Sequence, residues 1–371
     1  MKKKLLIIFI CLVLFMTLII TGIFVFPMFF RLNNKDESLR EKASSISTIS
    51  DVVDPDSDYQ YQGIKPTDEK DKAFKVVGYY LGDKEPILDR IQFNVVTHII
   101  YAFAIPKEDG TLRPFDYPET AKALVKQAHS NNTKVLLGIG GWSYKDIPLQ
   151  SDFESATATD EKIRKFGDSI IAMTKKYGFD GVDMDWEHPR AGASSEVQYE
   201  KLMVYLSKRC KDEKMLLTAA VISGVDADNV KIKDAMAHTD KVLSLVDWIN
   251  VMAYDGGNES RHSPYEFAVK CGEYWRDSRK VSPQKVVIGV PFYARPSWKS
   301  YDEILKVFPD AYKNDQVPQE DRFDYYNGVV TMEKKAKWAK DNVGGVMIWE
   351  LTKDTLDKSK SLLSAIQKGI K

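Results

Sequence analysis

Short apolar runs alternate with amphipathic stretches from residue 74 to the end of the chain. The runs are rich in Val, Ile and aromatic residues, which favour strands. In the stretches between them, apolar residues recur at three- and four-residue spacing, which favours helices. Helices are predicted at Thr120–Ser130, Ile163–Gly178, Glu196–Glu213, Pro264–Ser278 and Thr331–Asn342. Strands are predicted at Lys75–Tyr80, Val95–Ala104, Val135–Ile139, Gly181–Trp186, Leu216–Val221, Trp248–Ala253, Val286–Val290 and Gly345–Trp349.

This order of elements defines the fold class. Strands that alternate with helices indicate an α/β protein with a parallel sheet. Eight such units in residues 73–371 predict a closed (β/α)8 TIM barrel, and an open doubly wound sheet is the alternative. In a barrel of this kind, the active site lies at the C-terminal ends of the strands.

The first part of the chain has a different character. Residues 5–30 are almost entirely apolar and follow Lys2, Lys3 and Lys4. A bilayer is crossed by about 20 apolar residues, and a basic flank stays in the cytoplasm. We therefore expect a short cytoplasmic end at 1–4 and a single-pass membrane anchor at 5–30. Residues 31–72 are polar and predict a flexible tether, so the barrel would lie outside the cytoplasm. The alternative is a cleaved signal peptide and a secreted protein.

Composition excludes several function classes. The 53 basic and 53 acidic residues balance, so no nucleic acid partner is expected. The histidines and cysteines show no metal-ligand spacing, and neither a metal nor another cofactor is predicted. Cys210 and Cys271 both lie in predicted helices, and we assume no disulfide between them. A monomer is expected.

The most informative segment of the chain is acidic. Asp183, Asp185 and Glu187 are spaced two residues apart on a predicted strand, so their side chains point to one face. Asp180 is out of phase with them and is expected to shape the start of the strand. A solvated acidic loop is disfavoured because apolar residues interleave with the acids: Phe179, Val182, Met184 and Trp186.

Aligned carboxylates have a chemical consequence. Like charges this close cannot all ionise cheaply, so protons are shared and at least one pKa rises. Glu187, nearest the end of the strand, can then be a protonated general acid near neutral pH. Such a group can protonate a glycosidic oxygen.

Other strand ends carry aromatic and polar groups. Asn250, Met252 and Tyr254 share one face of the sixth strand and its extension. Gly141 and Trp142 follow the third strand, and Trp349 ends the eighth. Their recurrence at strand ends indicates a binding site, because aromatic faces suit the C–H faces of sugar rings.

The acidic segment resembles the D-x-x-D-x-D-x-E signature of glycoside hydrolase family 18, the chitinase family, at every fixed position. The resemblance extends over about residues 75–355. It includes Met252-x-Tyr254-Asp255, the segment from Gly289 to Arg295, and the eighth strand. It implies catalytic roles for Asp183, Asp185, Glu187 and Tyr254. It also implies substrate contacts from Tyr79, Phe103, Gly141, Trp142, Met252, Asp255, Arg295 and Trp349.

The chain departs from the family pattern in two places. Gly138 stands where the family often has a serine, so Asp183 is expected to lose a hydrogen-bond partner that water or Tyr79 must replace. Many relatives also insert a small α+β domain between the seventh and eighth strands. Residues 296–342 must hold the seventh helix as well, so that domain is expected to be missing and the groove shallower.

The resemblance further implies a substrate-assisted mechanism. Glu187 protonates the leaving oxygen, and the substrate's own 2-acetamido oxygen attacks to form an oxazolinium ion. Asp185 and Tyr254 orient the acetamido group, while Asp183 shares a proton with Asp185. The implied substrate is a β-1,4-linked N-acetylglucosamine polysaccharide. The alternatives are an endo-β-N-acetylglucosaminidase acting on N-glycans or peptidoglycan, and an inactive sugar-binding protein.

Overall fold

The computed structural model describes residues 74–371 except Asn258. The membrane anchor predicted at residues 5–30 and the tether predicted at 31–72 lie outside the described residues. Among the residues that are described, no helix combines the length and the apolarity needed to cross a membrane.

Eight parallel strands form a closed barrel. Each strand pairs with its neighbours in chain order, and the eighth pairs with the first through Lys75 and Gly345. The (β/α)8 barrel is therefore confirmed, and the open sheet is excluded. The strands are β1 (Lys75–Leu81), β2 (His98–Ala104), β3 (Lys134–Gly141), β4 (Gly181–Trp186), β5 (Leu216–Val221), β6 (Trp248–Val251), β7 (Val286–Pro291) and β8 (Gly345–Trp349).

Helices cover the outside of the barrel. They are α1 (Pro118–Ser130), α2 (Gln150–Ala156), α3 (Asp160–Tyr177), α4 (Ser194–Asp212), α5 (Asp240–Leu245), α6 (Tyr265–Glu273), α7 (Tyr301–Val307), α8 (Val329–Asn342) and α9 (Leu362–Gly369).

Three observed elements are shorter than the sequence predicts. β2 starts at His98 rather than Val95, because the amides of Val95 and Val96 bond to Gln92 in a turn. β6 stops at Val251 rather than Ala253. The helix predicted to reach Ser278 becomes a π-helical turn after Glu273.

Two apolar layers hold the barrel. An outer layer lies between the strands and the helices and takes most of the buried side chains, which include the free thiols of Cys210 and Cys271. A smaller layer fills the barrel interior. Because burial of apolar surface drives folding, these layers fix which strand residues face inward. The interior residues are Val77, Tyr79, Ile100, Ala102, Leu136, Trp248, Val287 and Met347.

The start of β4 is fixed by Asp180. α3 ends at Gly178, whose φ of 77° is a left-handed conformation that suits glycine. Asp180 then accepts hydrogen bonds from the amide of Val135 at 2.7 Å and from Nε2 of His129 at 2.8 Å. Asp180 thus joins α1, β3 and β4 at the N-terminal end of the strand, while the other acids lie further along it.

The connection from β7 to β8 begins with a tight loop and α7. An antiparallel hairpin follows, formed by Gln316–Pro318 and Phe323–Tyr325, and then α8 leads into β8. The hairpin is tied back to the loop by paired backbone bonds between Arg295 and Tyr325. This compact arm stands beside the C-terminal end of β7.

Candidate active site

Asp183 lies completely buried inside the barrel, and its carboxylate accepts three hydrogen bonds. The hydroxyl of Tyr79 donates to Oδ2 at 2.7 Å. Thr218 Oγ1 and Asn250 Nδ2 donate to Oδ1 at 2.5 Å and 2.9 Å. Burial raises the pKa of Asp183, and these three donors oppose that rise. Three donors directed at one carboxyl group favour its accepting, ionised form.

Thr218 is a site residue that the sequence reasoning missed. It pairs with Asp183 in the register of β4 and β5, and Gly138 pairs with Asp183 on the opposite side. Glycine at position 138 supplies no side-chain donor to Asp183. Thr218 and Asn250 replace that donor, in addition to the predicted Tyr79. The available signal was one hydroxyl inside the apolar run Leu216–Val221.

Asp185 has a contrasting environment. It is buried, and its Oδ1 atom has no hydrogen-bond partner within the part of the chain that the structure describes. Burial and then the charges of Glu187 and Asp183 raise its pKa well above the ordinary value. Of Asp183 and Asp185, it is therefore Asp185 that favours the protonated form. Its buried oxygen is free to form a hydrogen bond with a ligand.

Glu187 follows the last residue of β4 and remains 18 % exposed at the barrel mouth. Burial, and secondarily the charge of Asp255, raises the pKa of Glu187 to about 7. The neighbouring His188 places Nε2 at 3.7 Å from the Glu187 carboxylate. A carboxylic acid that keeps its proton up to neutral pH at the edge of a cleft is suited to general acid catalysis.

Tyr254 and Asp255 follow β6 and face the acids. The fields of Asp185 and Glu187 add to burial in raising the pKa of the Tyr254 hydroxyl, so it stays a hydrogen-bond donor. Asp255 accepts from the Tyr293 hydroxyl at 2.6 Å and lies 2.9 Å from Nδ1 of His262. Partial burial acts to raise the pKa of Asp255, but these bonds prevail and lower it. Asp255 is thus a fixed negative charge.

Aromatic rings line the barrel mouth beside Asp183. The rings of Phe103 and Trp349 are stacked with centroids 5.8 Å apart, and Tyr79 meets Trp349 edge-on at 5.3 Å. Gly141 lies against this group, with a φ of 82° and room for no side chain, because a Cβ would come within 2.7 Å of Phe103. These residues form an apolar floor next to the carboxylates.

Three further predicted residues follow the ends of β6, β3 and β7. Met252 packs partly buried against the inner barrel layer. Trp142 follows β3 and is 60 % exposed. Arg295 follows β7, where its guanidinium lies 3.7 Å from Asp255. His262, which sequence reasoning did not select, is buried under Asp255 and approaches the carbonyl of Tyr293 at 3.3 Å through its other nitrogen.

Comparison with known proteins agrees with this geometry. The model of glycosyl hydrolases family 18 matches residues 75–354. Chitinase 1 of Aphanocladium album is 26 % identical over 349 residues, which cover 74 % of this chain and 79 % of that protein. The endochitinase of Brugia malayi is 27 % identical over 347 residues, which cover 74 % of this chain and 66 % of that protein.

Solved structures give the same result. The GH18 chitinase ChiB of Flavobacterium johnsoniae has a TM-score of 0.68 at 28 % identity, over 81 % of this chain and 94 % of that one. A chitinase from Bacteroides thetaiotaomicron has a TM-score of 0.69 at 27 % identity, over 80 % and 96 %. The chain belongs to glycosyl hydrolases family 18. It is a glycosidase.

The Thr218→Val variant tests the support of Asp183. It removes a hydroxyl donor without changing the side-chain shape, so the Asp183 charge is less stabilised. We expect kcat to fall roughly 10- to 100-fold, the range for losing a hydrogen bond to a charged group, with KM little changed. Thr174→Val is the matched control, because that hydroxyl bonds to Ile170 within α3. Wild-type kcat in Thr218→Val would contradict this role.

The pH profile tests the state of Glu187. The general acid must be protonated, so kcat/KM is expected to fall as the pH rises through about 7. Asp255→Asn removes a charge that raises this pKa, and it should move the alkaline limb to lower pH. Asp341→Asn, an exposed carboxylate on α8, should leave the limb in place. An unmoved limb in Asp255→Asn would show that another group controls it.

Proposed function

We propose that this protein is a retaining hydrolase of β-1,4-linked N-acetylglucosamine polymers that uses substrate-assisted catalysis. The observation that carries the proposal is the unpaired, buried Oδ1 atom of Asp185. An unsatisfied buried oxygen is costly, and active sites retain such atoms for the substrate. Asp185 stands between Asp183 and Glu187 along the strand, which supports a role for this oxygen in accepting a hydrogen bond from an acetamido N–H.

The acids divide the reaction between them. Glu187 gives its proton to the leaving glycosidic oxygen as the C–O bond breaks. The acetamido carbonyl oxygen attacks the anomeric carbon from the other face and closes an oxazolinium ring. Asp185 accepts a hydrogen bond from the acetamido N–H and stabilises the positive charge of that ring. Its own proton moves toward Asp183 and returns to Asp185 when the ring opens.

The second half of the reaction returns the enzyme to its starting state. Glu187, now ionised, takes a proton from water, and the resulting oxygen attacks the anomeric carbon and opens the ring. The tyrosyl hydroxyl of Tyr254 donates to the acetamido oxygen and keeps it in line. Two inversions at one carbon give net retention of configuration.

A substrate panel tests the function. The soluble barrel, residues 73–371, is assayed on chitin oligomers, an N-glycosylated protein and peptidoglycan, and the Glu187→Gln variant serves as the negative control. We expect chitin oligomers to be cleaved with the β-anomer as the first product, and Glu187→Gln to be inactive. If the glycoprotein or peptidoglycan is cleaved in preference, that polymer and not chitin is the substrate. Turnover by Glu187→Gln would refute the role of Glu187 as the general acid.

The substrate-assisted mechanism makes its own prediction. Asp185→Asn and Tyr254→Phe both weaken interactions that strengthen as the acetamido oxygen attacks, so we expect kcat to fall about 100-fold or more with a smaller change in KM. Tyr326→Phe is the control, because its hydroxyl bonds to the carbonyl of Ala311 away from the acids. If both variants change KM alone, the mechanism is wrong for this protein.

We also propose that residues 5–30 anchor the protein in the membrane with the barrel outside the cytoplasm. The length of the apolar run and its basic flank support this orientation, and the polar segment 31–72 would give the barrel reach toward a wall-bound polymer. Cells that make the full chain should retain activity in the membrane fraction after a high-salt wash. Activity free in the medium, on a chain that starts after residue 30, would show a cleaved signal instead.

A further inference from the structure

Trp298 stands at the tip of the loop that follows β7, in an unusual conformation. Its φ of 64° lies in the left-handed region, which a bulky side chain rarely adopts. The residue is also 56 % exposed to solvent. A strained backbone and an exposed indole both cost free energy, and strain of this kind is concentrated at functional sites.

The loop is rigid enough to hold this ring in place. The amide of Trp298 bonds to the carbonyl of Ala294, and the amide of Ala294 bonds to the carbonyl of Lys299, each at 2.9 Å. Ser297 donates its amide to the buried carboxylate of Asp324 in the neighbouring hairpin at 3.1 Å. The tip is therefore tied to itself and to the arm beside it.

The indole rests on residues of the active site. It is stacked on the ring of Tyr293, with centroids 5.4 Å apart and planes 7° from parallel. The guanidinium of Arg295 lies 3.9 Å from the indole centroid. Tyr293 and Arg295 both contact Asp255, and the ring of Tyr293 meets that of Tyr254 at 6.4 Å. Trp298 keeps 56 % of its surface exposed beside these two contacts, so part of the residue remains accessible to a ligand.

We infer that Trp298 is a sugar-binding platform that takes one further N-acetylhexosamine unit of the chain being cleaved. This inference rests on the proposed function. A flat, immobile aromatic face stacks on the axial C–H groups of a pyranose ring at small entropic cost, because the side chain is already ordered. The contacts through Tyr293 and Arg295 join this platform to the groups around the scissile bond, so a bound polymer would lie across both.

The experiment compares a long and a short substrate. The Trp298→Asn variant removes the ring but keeps a residue that tolerates the left-handed conformation, so the loop is not strained further. We expect kcat/KM for the N-acetylglucosamine hexamer to fall about tenfold more than kcat/KM for 4-nitrophenyl N,N′-diacetylchitobioside. Trp298→Phe keeps an aromatic face and should recover most of this loss.

The controls separate the platform from general damage. Val307→Ala, an exposed apolar residue on α7, should change neither substrate. If the wild type cleaves the hexamer and Trp298→Asn shows the same hexamer-to-dimer ratio, the platform is refuted and the proposed function stands. If the wild type cleaves none of these substrates, the proposed function fails, and calorimetric titration with the hexamer decides the platform: weaker binding by Trp298→Asn supports it, and equal binding refutes it.

Discussion

A negative charge buried at the centre of the barrel is the constraint on which the rest of the site depends. An ionised carboxylate in an apolar interior is strongly unfavourable unless donors surround it. Asp183 is surrounded by a tyrosine from β1, a threonine from β5 and an asparagine from β6. That charge in turn adds to the forces that raise the pKa of Asp185. The strand geometry places the acids, but this network decides which of them is ionised.

Four carboxyl groups within one cleft therefore differ in chemical character because their surroundings differ. Asp183 is an acceptor satisfied by its neighbours, whereas Oδ1 of Asp185 is buried with no partner among the described residues. Glu187, at the mouth, keeps its proton to about neutral pH. The hydroxyl and the imidazole that contact Asp255 lower its pKa and favour its negative charge. That charge contributes to the raised pKa of Glu187. Separation of pKa values among neighbouring acids is the arrangement that lets one group give a proton while another stabilises charge.

The barrel and the row of acids could be predicted because both depend on local periodicity. Alternation of side chains along one strand is enough to align Asp183, Asp185 and Glu187. The hydroxyl of Thr218 stands out in an apolar strand, but its contact with Asp183 could not be predicted, because it depends on the register between two strands. His262 lies in the loop after β6, and only the folded chain shows that it is buried beneath Asp255. The predicted start of β2 at Val95 is too early for a similar reason. Valines favour strands, but the amides of Val95 and Val96 bond to the carbonyl of Gln92 in a turn.

The partners of Asp183 also connect the chemistry to the order of synthesis. Tyr79 comes from the first strand, whereas Asn250 comes from the sixth, so a nascent chain that ends before β6 contains the acid without its full set of donors. A partly assembled barrel would have to leave that carboxylate in water or protonate it. The charge at the centre of the barrel is therefore fully satisfied only after strands from both halves of the chain have come together.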